Sequence, residues 1–289
     1  MSKVQINLVD ETLIGNDSLV AASAKCGTGE DNYRHPKLVE YVRNQNPWDG
    51  ISYFTDKALP KAATVESKHK IGVILEAWIL DPQAYKDAVE YEDHFDYIFT
   101  YHPDLLERDP SKYKFTPSDT ISVDLPSVKI HDKSKFVTMM YSKKEWLPGH
   151  KARQVIANHI VPSVDCDVDI YGYGPENHVQ YKSEGINDYM FSIEVENSYL
   201  PNYFTEKPLD CFATGTVPIY LGCPNIGDWF DTDGIITFTT GEELVDILNN
   251  LTPKMYKDRL EAVKSNYQKA LSYLEQDDNI YEELIQFGL

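Results

Sequence analysis

The chain has 289 residues, 42% of them hydrophobic and 25% charged, with a formal net charge of −19. That make-up fits an ordinary folded protein, and the length fits two domains rather than one. The acidic balance argues against nucleic acid or an anionic membrane surface as a partner. No apolar run approaches the roughly 20 residues needed to cross a bilayer, so no transmembrane anchor is expected.

Strand and helix patterns alternate from the start, which predicts βαβ units and doubly wound parallel sheets. Val4–Leu8 reads as a strand and Pro36–Arg43 as a helix, with Pro36 in its first turn. Ile51–Phe54 is a short strand, and the continuous apolar run Lys70–Glu76 suits a strand buried in a parallel sheet. A helix over Pro82–Tyr91, a strand over Tyr97–Tyr101 and a helical piece over His102–Glu107 complete a first α/β domain, residues 1–120. Around Pro117–Asp132 periodicity fades, and residues 121–133 are read as the linker.

The second domain, 134–275, opens with strand Lys135–Tyr141 and a cation-rich turn holding Lys143, Lys144 and His150. A helix carrying Arg153 follows, then strand Val168–Tyr171 and a turn at Gly172-Tyr-Gly174. Met190, Ile193 and Val195 mark the next strand, which leads through a polar loop, Glu196 to Tyr203, into a helix capped by Thr205. Gly215 is its expected end, and strands follow at Val217–Leu221 and Ile235–Phe238. Thr240-Gly-Glu-Glu243 is a capping box. One long helix from Pro253 to about Gln276 and a short helix over Tyr281–Phe287 are expected at the end, with 276–289 as a helical tail.

A strand, a polar loop and a helix N-terminus bearing Lys207 make an anion site. Unbonded N–H groups and the positive end of the helix dipole point outward, and the lysine adds a full charge. Arg153 also follows a strand near a helix start, where side chains and N–H groups converge on an anion. The net charge of −19 does not oppose this, because charges beyond about 8 Å are screened at physiological salt.

The segment ENSYLPNYFTEK, residues 196–207, with its continuation DCFATGTVPIYLGCPNIGDWF, resembles the donor signature of the family 10 glycosyltransferases, the α-1,3/1,4-fucosyltransferases. The positions that carry it are Phe191, Glu196, Asn197, Tyr203, Thr205, Glu206 and Lys207. The likeness is strong from about Lys135 to Phe238 and weak outside. It implies the GT-B architecture, two Rossmann-like α/β domains with a cleft between them, and transfer of L-fucose from GDP-fucose to a glycan hydroxyl with inversion. GDP and fucose rest on the resemblance alone.

The resemblance implies that Arg153 and Lys207 hold the diphosphate, Glu206 the ribose hydroxyls, and Asn197 and Tyr203 the donor's phosphates or sugar. Glu196 is either a donor contact or a brace for its loop. Lys144 and His150 are further donor-side candidates. A diphosphate leaves as a stable anion, so one general base suffices where a glycosidase usually needs two carboxylates. Glu76, at the end of the buried first-domain strand, is the candidate base, with Glu90, Glu92 and Asp96 as alternatives. No cofactor beyond the donor is expected. Asp165-Cys-Asp167-Val-Asp169 looks like a carboxylate metal motif, but leads into a strand and is read as a strand entry. The four cysteines, at 26, 166, 211 and 223, lack metal-ligand spacing and suit free thiols in a reducing, cytoplasmic setting; no signal peptide is expected. The rival readings are the same reaction with another nucleotide sugar, and a nucleotide-sugar or glycan-binding module without turnover.

Overall fold

The computed structural model describes residues 3–11, 34–172 and 177–289; Cys26 and the second glycine of Gly172-Tyr-Gly174 lie outside them. Two all-parallel sheets organise the chain. The first contains β1 (Val4–Val9), β2 (Val39–Arg43), β3 (Trp48–Thr55), β4 (Ser67–Val73), β5 (Tyr97–Thr100) and β6 (Tyr113–Phe115), in the order β2-β1-β3-β4-β5-β6. The second contains β7 (Lys135–Met140), β8 (Val168–Tyr171), β9 (Tyr189–Val195), β10 (Val217–Leu221) and β11 (Ile236–Thr237), in the order β11-β10-β9-β7-β8. Each sheet reverses direction once, between β1 and β3 and between β7 and β9. Such a reversal opens a crevice at the carboxyl ends of the two strands flanking it.

Helices cover both faces, so the inner strands are largely buried. In β9 only Met190 is partly exposed. Helix α1 (Pro82–Glu90) follows β4, α2 (Pro103–Arg108) follows β5, α3 (Pro148–Val155) follows β7, and α4 (Glu206–Thr214) follows β9. Helix α5 (Gly241–Asn250) begins at the expected capping box: Thr240 Oγ1 accepts from Glu243 N at 3.2 Å. Helix α4 is capped by Thr205 and ends at Gly215, whose φ of +75° suits glycine.

Two expectations are corrected here. Residues 39–43 are a strand, because the alternation Val-Glu-Tyr-Val pairs with β1, and Pro36 only precedes it. The long helix is broken into two, α6 (Pro253–Asp258) and α7 (Leu260–Ala270), and the short terminal helix is α8 (Gln276–Gln286), which starts five residues earlier than expected. Arg259 leaves helical geometry (φ −98°, ψ 2°), just after the Tyr256 hydroxyl is anchored on Gly215 O at 2.9 Å.

The tail is structural cover for the first sheet. Ile280 and Leu284 of α8 are buried among Ile6, Leu8, Tyr53 and Val73. Asp278 accepts from the N–H groups of Lys37 and Leu38 at 2.8 and 2.9 Å, and Tyr41 OH donates to Asp277 at 2.6 Å. The stretch between the sheets is fixed as well. Ile121 and Val123 pack with Phe204, Leu209 and Phe230, and Ser122 donates through N and Oγ to Asp210 of α4 at 2.6 and 2.7 Å.

Candidate active site

The carboxyl ends of β7 and β9 border a cavity of about 220 Å³, walled by Tyr141, His150, Arg153, Lys182, Asn197 and Lys207 among others. It lies at the second sheet's point of reversal, so strand order alone puts a crevice here.

Arg153 projects from α3 and is 8% exposed. Its guanidinium donates to Val195 O, at the end of β9, and to Asn197 Oδ1 at 2.8 Å. Those two bonds hold the planar head against the loop and leave further N–H donors on the fork. The helix comes this close because residue 149 is glycine: a Cβ there would sit 1.9 Å from Glu196 O. One turn earlier, His150 Nδ1 accepts from Leu147 N at 3.3 Å. Burial, then the charges of Arg153, Lys144 and Lys207, pushes His150 down to about 4. The ring is therefore neutral at pH 7, with Nε2–H as its donor.

Lys207 reaches the same cavity from the first turn of α4. Its Nζ lies 2.9 Å from Thr205 Oγ1, 3.2 Å from Glu196 and 3.3 Å from Glu206. Burial pulls the ammonium down, but Glu196 and Glu206 more than offset it and the net shift is upward. Arg153 and Lys207 thus converge, as the sequence predicts, with enough mutual repulsion to be felt at Lys207.

Glu206 also borders the cavity. Burial acts to raise its carboxyl, but Lys207, Lys182 and a hydrogen bond from Asp119 hold it well below the ordinary range. Asp119 is pushed well above it, by burial and by Glu206. In the hydrogen bond between the two acids Asp119 is the weaker acid and Glu206 the stronger, so the pair favours Asp119 as donor and Glu206 as acceptor. Lys144 is an exposed rim residue with Nζ 5.8 Å over the Trp146 ring.

Of the two readings open for Glu196 the structure favours the brace, and the expected donor contact at Tyr203 is corrected. Glu196 is fully buried behind the wall. Its carboxylate is taken up by Thr205 N at 2.9 Å, Thr205 Oγ1 at 2.8 Å and Lys207, so it braces the loop and sets Lys207. Tyr203 points the other way. It is 2% exposed, lies within the first domain's core cluster, and has its ring 4.9 Å from that of Tyr101. The aromatic of the signature fastens the donor loop to the facing domain.

Two groups escaped the sequence reading. Lys182, in a short turn before β9, pairs with Asp210 at 2.6 Å and Glu206 at 3.6 Å. Glu194, in β9, is buried, accepts from Ser192 Oγ at 2.6 Å, and is pushed up to about 7 by burial against the pull of Lys182 and Lys207. No motif marks Lys182. The one signal for Glu194 was an acid inside an otherwise apolar strand.

Across the cleft, Glu76 follows β4. Its N–H donates to Asp56 Oδ1 at 3.1 Å and its carbonyl accepts from Tyr85 OH at 2.6 Å, so its backbone is fixed while its side chain is exposed. Burial of its surroundings and Asp81 push the carboxyl up; Lys57 and Lys144 pull it down. Lys144 belongs to the second domain, and its charge is felt at Glu76 across the gap. The alternatives are engaged or placed elsewhere. Glu92 is held by Arg108 at 2.9 Å and Tyr113 at 2.8 Å. Asp96 precedes β5, at the opposite edge of the sheet, and accepts from Lys70 N at 2.8 Å. Glu90 ends α1 and lines a separate hollow between α1 and α2. In the acidic triplet, Asp169 accepts from Tyr189 OH at 2.6 Å.

Two parallel α/β domains facing each other across such a cleft are the GT-B fold. A solved α1,3-fucosyltransferase with GDP shares it, with a TM-score of 0.54 at 15% identity over 94% of this chain and 89% of that one. The profile of glycosyltransferase family 10 (fucosyltransferase), C-terminal part, matches residues 130–284, and the chain belongs to that family. Among curated relatives, α-(1,3)-fucosyltransferase B of Drosophila melanogaster is 36% identical over 70 residues, 23% of this chain and 16% of that protein. The α-(1,3)-fucosyltransferase FucT of Helicobacter pylori is 30% identical over 112 residues, 37% of this chain and 22% of that one. The chain thus matches about a fifth of the length of these relatives.

Proposed function

We propose that this protein transfers L-fucose from GDP-fucose to a hydroxyl of a glycan acceptor, with inversion at the anomeric carbon. The observation that carries the reading is the convergence of Arg153 and Lys207 on one cleft whose other side bears Glu76. The family and the GDP-bound structural neighbour favour the donor.

In this reading Arg153, Lys207 and the His150 Nε2–H meet the diphosphate, and Glu206 accepts from the ribose hydroxyls. Asn197 keeps its amide N–H groups for the donor while its oxygen orients Arg153. Lys144 adds charge at the rim. Glu76 takes the proton from the acceptor hydroxyl as its oxygen attacks the anomeric carbon. The bond to the diphosphate breaks on the opposite face, and its electron pair leaves with the phosphate. Cations placed where that charge grows are worth about 3 kcal/mol each in a water-poor cleft. The upward push on Glu76 makes it a better base than a solvent carboxylate. With protein cations in these places, the reading calls for no protein-bound metal ion.

A thermal-shift screen with GDP-fucose, GDP-mannose and UDP-sugars tests it. Ligand at ten times its dissociation constant adds about 1.4 kcal/mol of stability, and GDP-fucose should raise the midpoint most. Stabilisation by a UDP-sugar and none by GDP or GDP-fucose would overturn the donor assignment.

A further inference from the structure

The carboxyl edge of the first sheet carries a second hollow that the donor does not use. It lies where the chain leaves β4 and β5, between α1 and α2, and has a volume of about 540 Å³. That is within the roughly 300–1,000 Å³ of small-molecule sites. Trp78, Tyr85, Val89 and Leu105 give it an apolar lining; His102 and Glu90 add polar groups. Trp78 is 44% exposed, so a broad indole face is left to solvent. His102 packs on Tyr85, ring centroids 5.0 Å apart, and its Nδ1 is buried with no partner among the described residues. Burial, partly offset by Asp104, pushes this imidazole down, so it is neutral at pH 7.

The hollow adjoins the segment that carries the candidate base. Trp78 stands two residues beyond Glu76, and Tyr85 donates to the Glu76 carbonyl at 2.6 Å. Its chemistry selects among occupants. A phosphate would meet the Glu90 and Asp104 carboxylates without a matching pair of cations. A plain alkyl chain would lie against the Glu90 and Asp104 carboxylates without a donor for either. A pyranose fits both halves, with an apolar C–H face for the indole and hydroxyls to donate to the acids.

The geometry points to this hollow as the subsite for the acceptor saccharide, with a sugar ring packed against Trp78 and His102 and a hydroxyl hydrogen-bonded to the Glu90 carboxylate, holding a neighbouring hydroxyl of the same glycan toward Glu76. The inference rests on the glycosyl-transfer reading, and it concerns positioning of the acceptor rather than the donor.

Saturation-transfer NMR and titration of the GDP-loaded protein with methyl β-N-acetyllactosaminide, methyl N-acetyl-β-glucosaminide and methyl α-mannoside test it. At least one glycoside should bind. Trp78→Ala, which truncates an exposed side chain and leaves the fold intact, and His102→Ala should each weaken that glycoside at least tenfold while GDP affinity stays unchanged. Binding of none of the three, or equal affinity in both variants, overturns the subsite. Wild-type protein that binds a glycoside in this variant-sensitive way but moves no fucose from GDP-fucose leaves the subsite standing and removes the proposed reaction.

Discussion

Replacing Lys207 with methionine separates its structural pairing with Glu196 from the diphosphate-binding role proposed for it. Glu196 is fully buried and has Lys207 as its cation at 3.2 Å. Removing one partner of a buried pair costs about 3 kcal/mol, which for a chain of this size lowers the melting midpoint by about 6–12 °C. Lys207→Met also removes a charged hydrogen bond to the diphosphate, worth about 1.5–3 kcal/mol, or about 10- to 150-fold in GDP affinity. Calorimetry with GDP, well below the lowered midpoint, reads the second cost alone. Adding Glu196→Gln separates them further: a neutral amide still accepts from Thr205 N, so the double variant should regain stability and stay weak for GDP. Wild-type GDP affinity in a folded Lys207→Met protein would refute the reasoning, and so would recovery of affinity together with stability.

Other predictions address single features of the site. Glu76→Gln should lower transfer by about a hundredfold to ten-thousandfold with GDP affinity within threefold of wild type; radiolabelled fucose incorporation and calorimetry read the two. Gly149→Ala must push α3 off the loop, because its Cβ would lie 1.9 Å from Glu196 O, and GDP affinity should fall at least tenfold as Arg153 is displaced. Burial raises the Glu194 carboxyl in the fold to about 7, from the ordinary 4.5. The folded state therefore binds the extra proton, and stability should fall as pH rises through that window. Thermal melts of Glu194→Gln should show a shallower fall over the same range; an unchanged slope would remove Glu194 as its source.

What the sequence made legible was local. Thr205, Gly215 and the Thr240 capping box are fixed by backbone geometry within a few residues, and they stand where periodicity and turn chemistry put them. Arg153 and Lys207 were readable because each follows a strand whose end lies at the sheet's reversal. What was missed or left open is tertiary. Tyr203, read as a donor contact, crosses instead to Tyr101, and Glu196, for which both a donor contact and a brace were open, turns inward to brace Thr205. No spacing rule says which face of a loop a side chain takes. Residues 39–43 are a strand because β1 lies beside them and α8 caps the approach through Asp278. Those partners are over 30 and over 200 residues away in the chain. Lys182 enters the cleft only because its turn is folded against α4 by Asp210.

The most direct test is a crystal structure of the protein soaked with GDP. The account predicts diphosphate oxygens about 2.7–3.2 Å from both Lys207 Nζ and the Arg153 guanidinium, with the ribose hydroxyls on Glu206. A diphosphate lodged instead in the separate apolar hollow lined by Val155, Ile160 and Thr240, out of reach of both cations, would contradict it.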